Sequence, residues 1–171
     1  NAFCLPGGKI AVYRGILSIA KNEAGLATVM SHEVVHAIAR HGGQRISANI
    51  GMVGGLIALQ NTALKDNQNS PYIMAALGLG TQVGVMLPYG RMQESEADEI
   101  GQTLMARAGY DPSESTRFWE RFSAETKGGP PTFLSTHPSS ASRAENLKRR
   151  LPDAMKDYQN SANHHGLGES F

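Results

Sequence analysis

The chain has 171 residues, 40% of them hydrophobic and 18% charged, which suits one globular domain with a sizeable core and excludes wholesale disorder. Its formal net charge is +1 and its longest basic run is Lys148-Arg149-Arg150, so electrostatics exclude nucleic acid as the main partner. The single cysteine, Cys4, cannot form an internal disulfide and reads as a small apolar residue rather than a nucleophile.

Residues 1–14 break at Pro6-Gly7-Gly8, and the alternation that follows, Lys9 to Tyr13, predicts a short strand. No comparable β-branched run lies downstream, which makes it an edge strand or the member of a sheet whose other strands lie upstream. The chain begins without Met, so an upstream targeting, anchoring or structural segment is expected. Gly15–Ala20 suits a helical turn. Asn22 is a good N-cap with Glu23 in the first turn, and Leu26, Val29, Met30, Val34 and Ile38 recur at helical spacing up to a stop at Gly42-Gly43.

Residues 44–90 carry few charges and many small residues. They predict two helices, 46–64 and 71–87, joined by the polar segment 61–70. Asn49, Gln60, Asn61, Thr62 and Gln82 favour buried or interfacial helices, a lid or a partner surface over a membrane-spanning hairpin. A further helix runs from near Arg91 to Gly109 and carries Glu94-Ser95-Glu96-Ala97-Asp98. Asp111-Pro112 opens another at Ser113, with Phe118, Trp119 and Phe122 as its apolar face. The Gly/Pro-rich connection Lys127–Pro131 leads to Ser135-Thr136-His137-Pro138. Ser139 or Ser140 then caps a last helix towards Arg150, which Pro152 disrupts. These elements give a catalytic domain over 1–158 and a flexible, frayed tail over 159–171.

Ser31-His32-Glu33-Val34-Val35-His36 contains HExxH. On a helix, His32 and His36 share a face and converge on one ion while Glu33 projects beside them. His41, about 140° further round the helix, reads as structural. A catalytic zinc takes three protein ligands and keeps a fourth position open. Glu94 completes that count, and Asp98, one turn on, is placed to accept the free ring N–H of a ligating histidine. Glu96 points away from both. Two imidazoles and one carboxylate suit a single Zn2+, with metal-activated water and Glu33 as general base.

In order, NAFCLPGG with its following strand, SHEVVHAIARH, ESEAD and STHPSSASR resemble the zinc endopeptidases of the HtpX, BepA and CaaX prenyl protease group, over residues 1 to about 150. The resemblance implies a mainly helical α+β zincin with a small N-terminal sheet edge and an HExxH active-site helix. Family members carry further structure before the NAF segment. It implies Glu94 as third zinc ligand, Asp98 in support, and an edge strand, here Gly8, Lys9, Ile10, Ala11, Val12 and Tyr13, that receives an extended polypeptide substrate. The HP-type loop implies that His137 stabilises the oxyanion or occupies the fourth metal position. Arg143 orients His137 or binds the oxyanion. The group usually has Ala where this chain has Cys4. The function implied is zinc-dependent hydrolysis of peptide bonds in protein substrates, with membrane or envelope association and a bacterial cell envelope or periplasmic location. The rivals are a chaperone-like envelope quality-control module with a closed or structural metal site, and a membrane-embedded prenyl-peptide protease. Oligomeric state is not set by the sequence.

Overall fold

The computed structural model describes residues 1–5, 7–125, 137, 141–168 and 170–171. Two strands, β1 (Ala2–Leu5) and β2 (Lys9–Val12), pair antiparallel with Ala2 opposite Val12 and Leu5 opposite Lys9. The turn between them needs glycine: Gly7 and Gly8 both have positive φ, at 94° and 80°. The partner of the predicted strand is therefore the NAFCL segment itself, hidden in the sequence because four residues without a β-branched side chain give little strand signal.

A 3-10 turn at Arg14–Ile16 leads into α1 (Leu17–Ala20), then α2 (Glu23–Ile38) and α3 (His41–Asn61). The break between α2 and α3 falls at Arg40, in the left-handed region at φ 57°, and Gly42 and Gly43 lie inside the first turn of α3 instead of ending α2. α4 (Ser70–Thr81) continues through a π-turn at Gln82–Met86 into α5 (Leu87–Arg107), so no helix start occurs at Arg91. α6 spans Ser113–Glu125 and α7 spans Ala141–Gln159. Pro152 sits inside α7. It lies on the exposed side, so the Lys148 carbonyl that loses its donor faces water, while the burial of Leu147 and Ala154 carries the helix onward.

The chain divides into two compact units, Asn1–Ala39 with Glu94–Phe171, and Arg40–Gln93. The first is built on Ile16, Ile19, Ala20, Val29, Phe118, Trp119, Phe122 and Leu147. Its aromatics interlock, with Trp119 edge-on to Phe118 and Phe122 at 5.3 Å between ring centroids. Described residues beyond Gln159 make backbone contacts with the rest of this unit. The His165 N–H donates to the Gly109 carbonyl at 2.8 Å, the Phe171 N–H to that of Lys21 at 3.1 Å, and Ser170 bridges to Asn22. The second unit is a helical hairpin of α3 and α4, in which α4 has no buried residue. The Lys127–Pro131 connection and the Ser139/Ser140 cap lie outside the described residues.

Candidate metal centre

The HExxH helix starts cleanly: the Asn22 side chain accepts the Gly25 N–H at 2.7 Å, with Glu23 at the positive end of the helix dipole. His32 and Glu33 therefore sit two turns in, on backbone whose hydrogen bonds are all made. Both are buried, at 3% and 2% exposure. Helix α5 presents Glu94, Ala97 and Asp98 on one buried face and turns Glu96 to solvent. Gly101 permits that approach, since a β-carbon there would stand 3.2 Å from the His32 backbone nitrogen.

The donor atoms converge. His36 Nε2 lies 3.0 Å from His32 Nε2, which is 3.3 Å from a Glu94 carboxylate oxygen; His36 Nε2 is 3.4 Å from the other oxygen. His137 joins them, its Nδ1 2.9 Å from Glu94 and 3.2 Å from His32 Nε2. One atom from each of these four residues falls within 4.8 Å of the others. Ligands about 2.0–2.1 Å from a tetrahedral ion stand about 3.3 Å apart, and the separations of 2.9–3.4 Å are close to that value. The donor set fits one divalent cation.

Charge is distributed to match. Burial works to lower His32, but hydrogen bonds to Asp98 and Glu94 carry it up to about 9. Burial takes His36 down to about 4 against the pull of Glu94. Burial would raise Glu94, yet its hydrogen bonds from His137, His32 and His36 hold it well below the usual carboxylate range. Glu33 is pushed up by burial, opposed by His137 and His32 and by the Cys4 backbone N–H that donates to it. Its Oε1 stands 3.2 Å from His137 Nε2.

Behind the donors, Asp98 Oδ1 is 3.0 Å from His32 Nδ1. Both Asp98 oxygens accept from Arg143, from Nε and from an Nη, each at 2.6 Å. A second Arg143 nitrogen reaches Glu94 at 3.3 Å, and the guanidinium lies 3.5 Å over the Trp119 ring. Sequence reasoning took Trp119 for core alone. It is core, but it also floors Arg143 and meets the His32 ring at 6.0 Å, and no local pattern signals a partner 24 positions away. The backbone beside Glu33 belongs to Cys4 on β1, and Lys9, Ile10, Ala11 and Val12, the expected substrate strand, pair with β1 as the other strand of the sheet, with Gly8 and Tyr13 at its ends.

A family model described as peptidase family M48 matches residues 1–151. The chain belongs to peptidase family M48. Among relatives, the mitochondrial metalloendopeptidase OMA1 of Schizosaccharomyces pombe is 38% identical over 96% of this chain and 48% of that protein. The Arabidopsis thaliana protein of the same name is 40% identical over 93% of this chain and 31% of its own length. The beta-barrel assembly-enhancing protease of Escherichia coli K12 is 32% identical over 88% of this chain and 32% of that protein. The chain spans half or less of the curated M48 relatives it matches. No solved structure matches it. The bacterial-envelope location inferred from the motifs is overturned by this comparison: mitochondrial proteins of fungi, a plant and cattle match at 36–40% identity, the bacterial ones at 31–32%. Mitochondrial and bacterial proteins both match most of this chain, so the motifs do not discriminate compartment.

Proposed function

We propose that this chain carries the catalytic unit of a zinc-dependent endopeptidase that hydrolyses peptide bonds of polypeptide substrates. The observation that carries the reading is the clustering of one donor atom each from His32, His36, Glu94 and His137 within 4.8 Å, beside a buried carboxyl outside that cluster, Glu33. Two imidazoles and a carboxylate suit zinc among the divalent ions. When bound, the ion supplies a Lewis acid that polarises the peptide carbonyl and lowers the pKa of water. Glu33 takes the proton and returns it to the leaving amine, and its upward shift brings it nearer the pH at which one group can do both. Asp98 accepts from His32 Nδ1, which leaves Nε2 as the metal-facing lone pair, and Arg143 orients Asp98. Substrate in extended form pairs with the N-terminal hairpin.

His137 supports a second reading. Its Nδ1 takes the fourth corner of the donor set, which describes a closed site whose His137 must swing out before substrate enters, or a protein-binding module that does not turn over. Zinc content and peptide hydrolysis, measured for the natural chain and for Glu33→Gln, separate these. We expect stoichiometric zinc in both and at least a ~100-fold lower rate in the variant. Activity retained in Glu33→Gln sinks the mechanism, and zinc without activity in either protein favours the closed module.

A further inference from the structure

The backbone that feeds the HExxH helix is strained. Lys21, between α1 and α2, has φ 66° and ψ −37°, a combination in which a side chain crowds its own backbone. Across it the Asn22 N–H donates to the Ala20 carbonyl at 2.8 Å, which closes a three-residue γ-turn of the strained hand. Glycine adopts such a turn freely, whereas lysine resists it. The Lys21 side chain is exposed, so nothing about the turn is dictated by burial of that residue. The turn stands immediately before the Asn22 cap and sets the point and angle at which α2 begins.

Arg121 on α6 holds this turn. Its Nε donates to the Ile19 carbonyl at 2.9 Å and an Nη to the Ala20 carbonyl at 3.1 Å, the same oxygen that closes the turn. That Nη also reaches Glu114 Oε1 at 2.6 Å, and Glu114 Oε2 accepts from Arg117 Nε at 2.6 Å. Glu114 is 3% exposed, so a buried carboxylate fixes the guanidinium from behind. Docking of α6 does not call for such a pair: Phe118, Trp119 and Phe122 already bury that helix, and a buried charge carries a desolvation cost that apolar packing avoids. The pair is aimed at the carbonyls of the turn. Gly25, in the first turn of α2, leaves room for them, because a β-carbon there would overlap the Ala20 oxygen. Helix α2 is thereby held at two points, the Lys21 turn and the approach of Gly101 to Ser31 and His32. With the first released, the helix tilts about the second. A tilt of about 5° carries His36, about 6 Å past that pivot, by about 0.5 Å, the limit within which a designed site still works.

We propose that Arg121, anchored by Glu114, is a positioning residue for the HExxH helix: it holds the Lys21 turn in a conformation that lysine resists and so fixes the line along which His32, Glu33 and His36 are presented. Two measurements on the whole chain test it. One, zinc affinity in competition with a chromogenic chelator, rests on the zinc reading of the cluster. The other, amide hydrogen exchange of metal-free protein at Gly25 and Leu26, whose N–H groups both donate to Asn22, does not. Arg121→Met lowers the affinity about 10-fold and speeds the exchange of both amides at least ~10-fold. Lys21→Gly alone leaves both at their natural values. Combined with Arg121→Met it restores both to within about twofold, because glycine takes the turn without being held. Arg121→Lys, which keeps the charge beside Glu114 but not the fork, gives the same pattern at smaller size and serves if circular dichroism shows the methionine variant unfolded. Natural affinity and exchange in both Arg121 variants overturn the proposal. So do losses that Lys21→Gly fails to repair, which assign Arg121 to pairing with Glu114 alone. A natural chain that takes up no zinc, with exchange lost and restored as expected, supports the role of Arg121 and sinks the zinc reading instead.

Discussion

Arg143 presents the edge of its guanidinium to Asp98 through two bonds of 2.6 Å and rests its plane on Trp119. A lysine keeps the charge but neither the fork nor the flat face. Arg143→Lys therefore loosens Asp98 and, through it, the His32 ring. Zinc affinity drops about 10–100-fold in competition with a chromogenic chelator, at unchanged helix content. An unaltered affinity removes Arg143 from this role. His32 makes a separate prediction for the metal-free protein. Its folded-state pKa of about 9 is above the ordinary value of 6.5, so its contribution to stability is complete below 6.5 and is lost as pH rises through 9. Thermal unfolding of chelator-treated protein at pH 6.5, 7.5 and 9.5 should show midpoints that fall by several degrees across the series. A flat profile contradicts the ion pairing assigned to His32.

Among the elements, α5 approaches α2 closely at Gly101. Gly101→Ala gains helix propensity, yet its methyl must push the backbone of His32 by a few tenths of an ångström. We expect the tight contact to prevail, with a net loss of about 1–3 kcal/mol in denaturant unfolding and weaker zinc binding. A more stable variant with full zinc affinity shows that the helices can part there at no cost. The elements that the sequence revealed are those with local signals: the Asn22 cap, the 3.6 period of α2, the Asp111-Pro112 start of α6, and the opposed faces of Glu94 and Glu96. The elements it hid depend on distant partners. The NAFCL strand is defined by pairing with β2, Arg40 takes a left-handed conformation that no composition rule assigns to arginine, and Pro152 is tolerated because the burial of α7 outweighs one lost bond. Three members of the cluster, His32, His36 and Glu94, were legible as candidate donors because two of them share one helical turn. The Trp119–Arg143–Asp98 chain was not, because its members come from three helices.

For the molecule as a whole, an ion bound only by the native state adds stability by mass action. At a thousandfold its dissociation constant that amounts to about 4 kcal/mol. For a chain of this size each kcal/mol moves the thermal midpoint by about 2–4 °C, so EDTA should lower it by about 8–16 °C and zinc restore it. A midpoint indifferent to EDTA shows that the four donors are not assembled around a cation in the folded protein. The two compact units also differ in character: one holds the His32, His36, Glu94 and His137 cluster, the other a run of exposed apolar residues from Ile46 to Met92.

His32 and the His137 ring that meets it are 105 positions apart, and Glu94 and His137 are 43 apart. No shorter stretch of the polypeptide contains the whole donor set. A growing chain leaving the ribosome therefore exposes the HExxH helix long before the other corners of the tetrahedron exist, and a lone pair of imidazoles holds an ion only weakly. The cluster of four residues can therefore assemble only after position 137 has emerged.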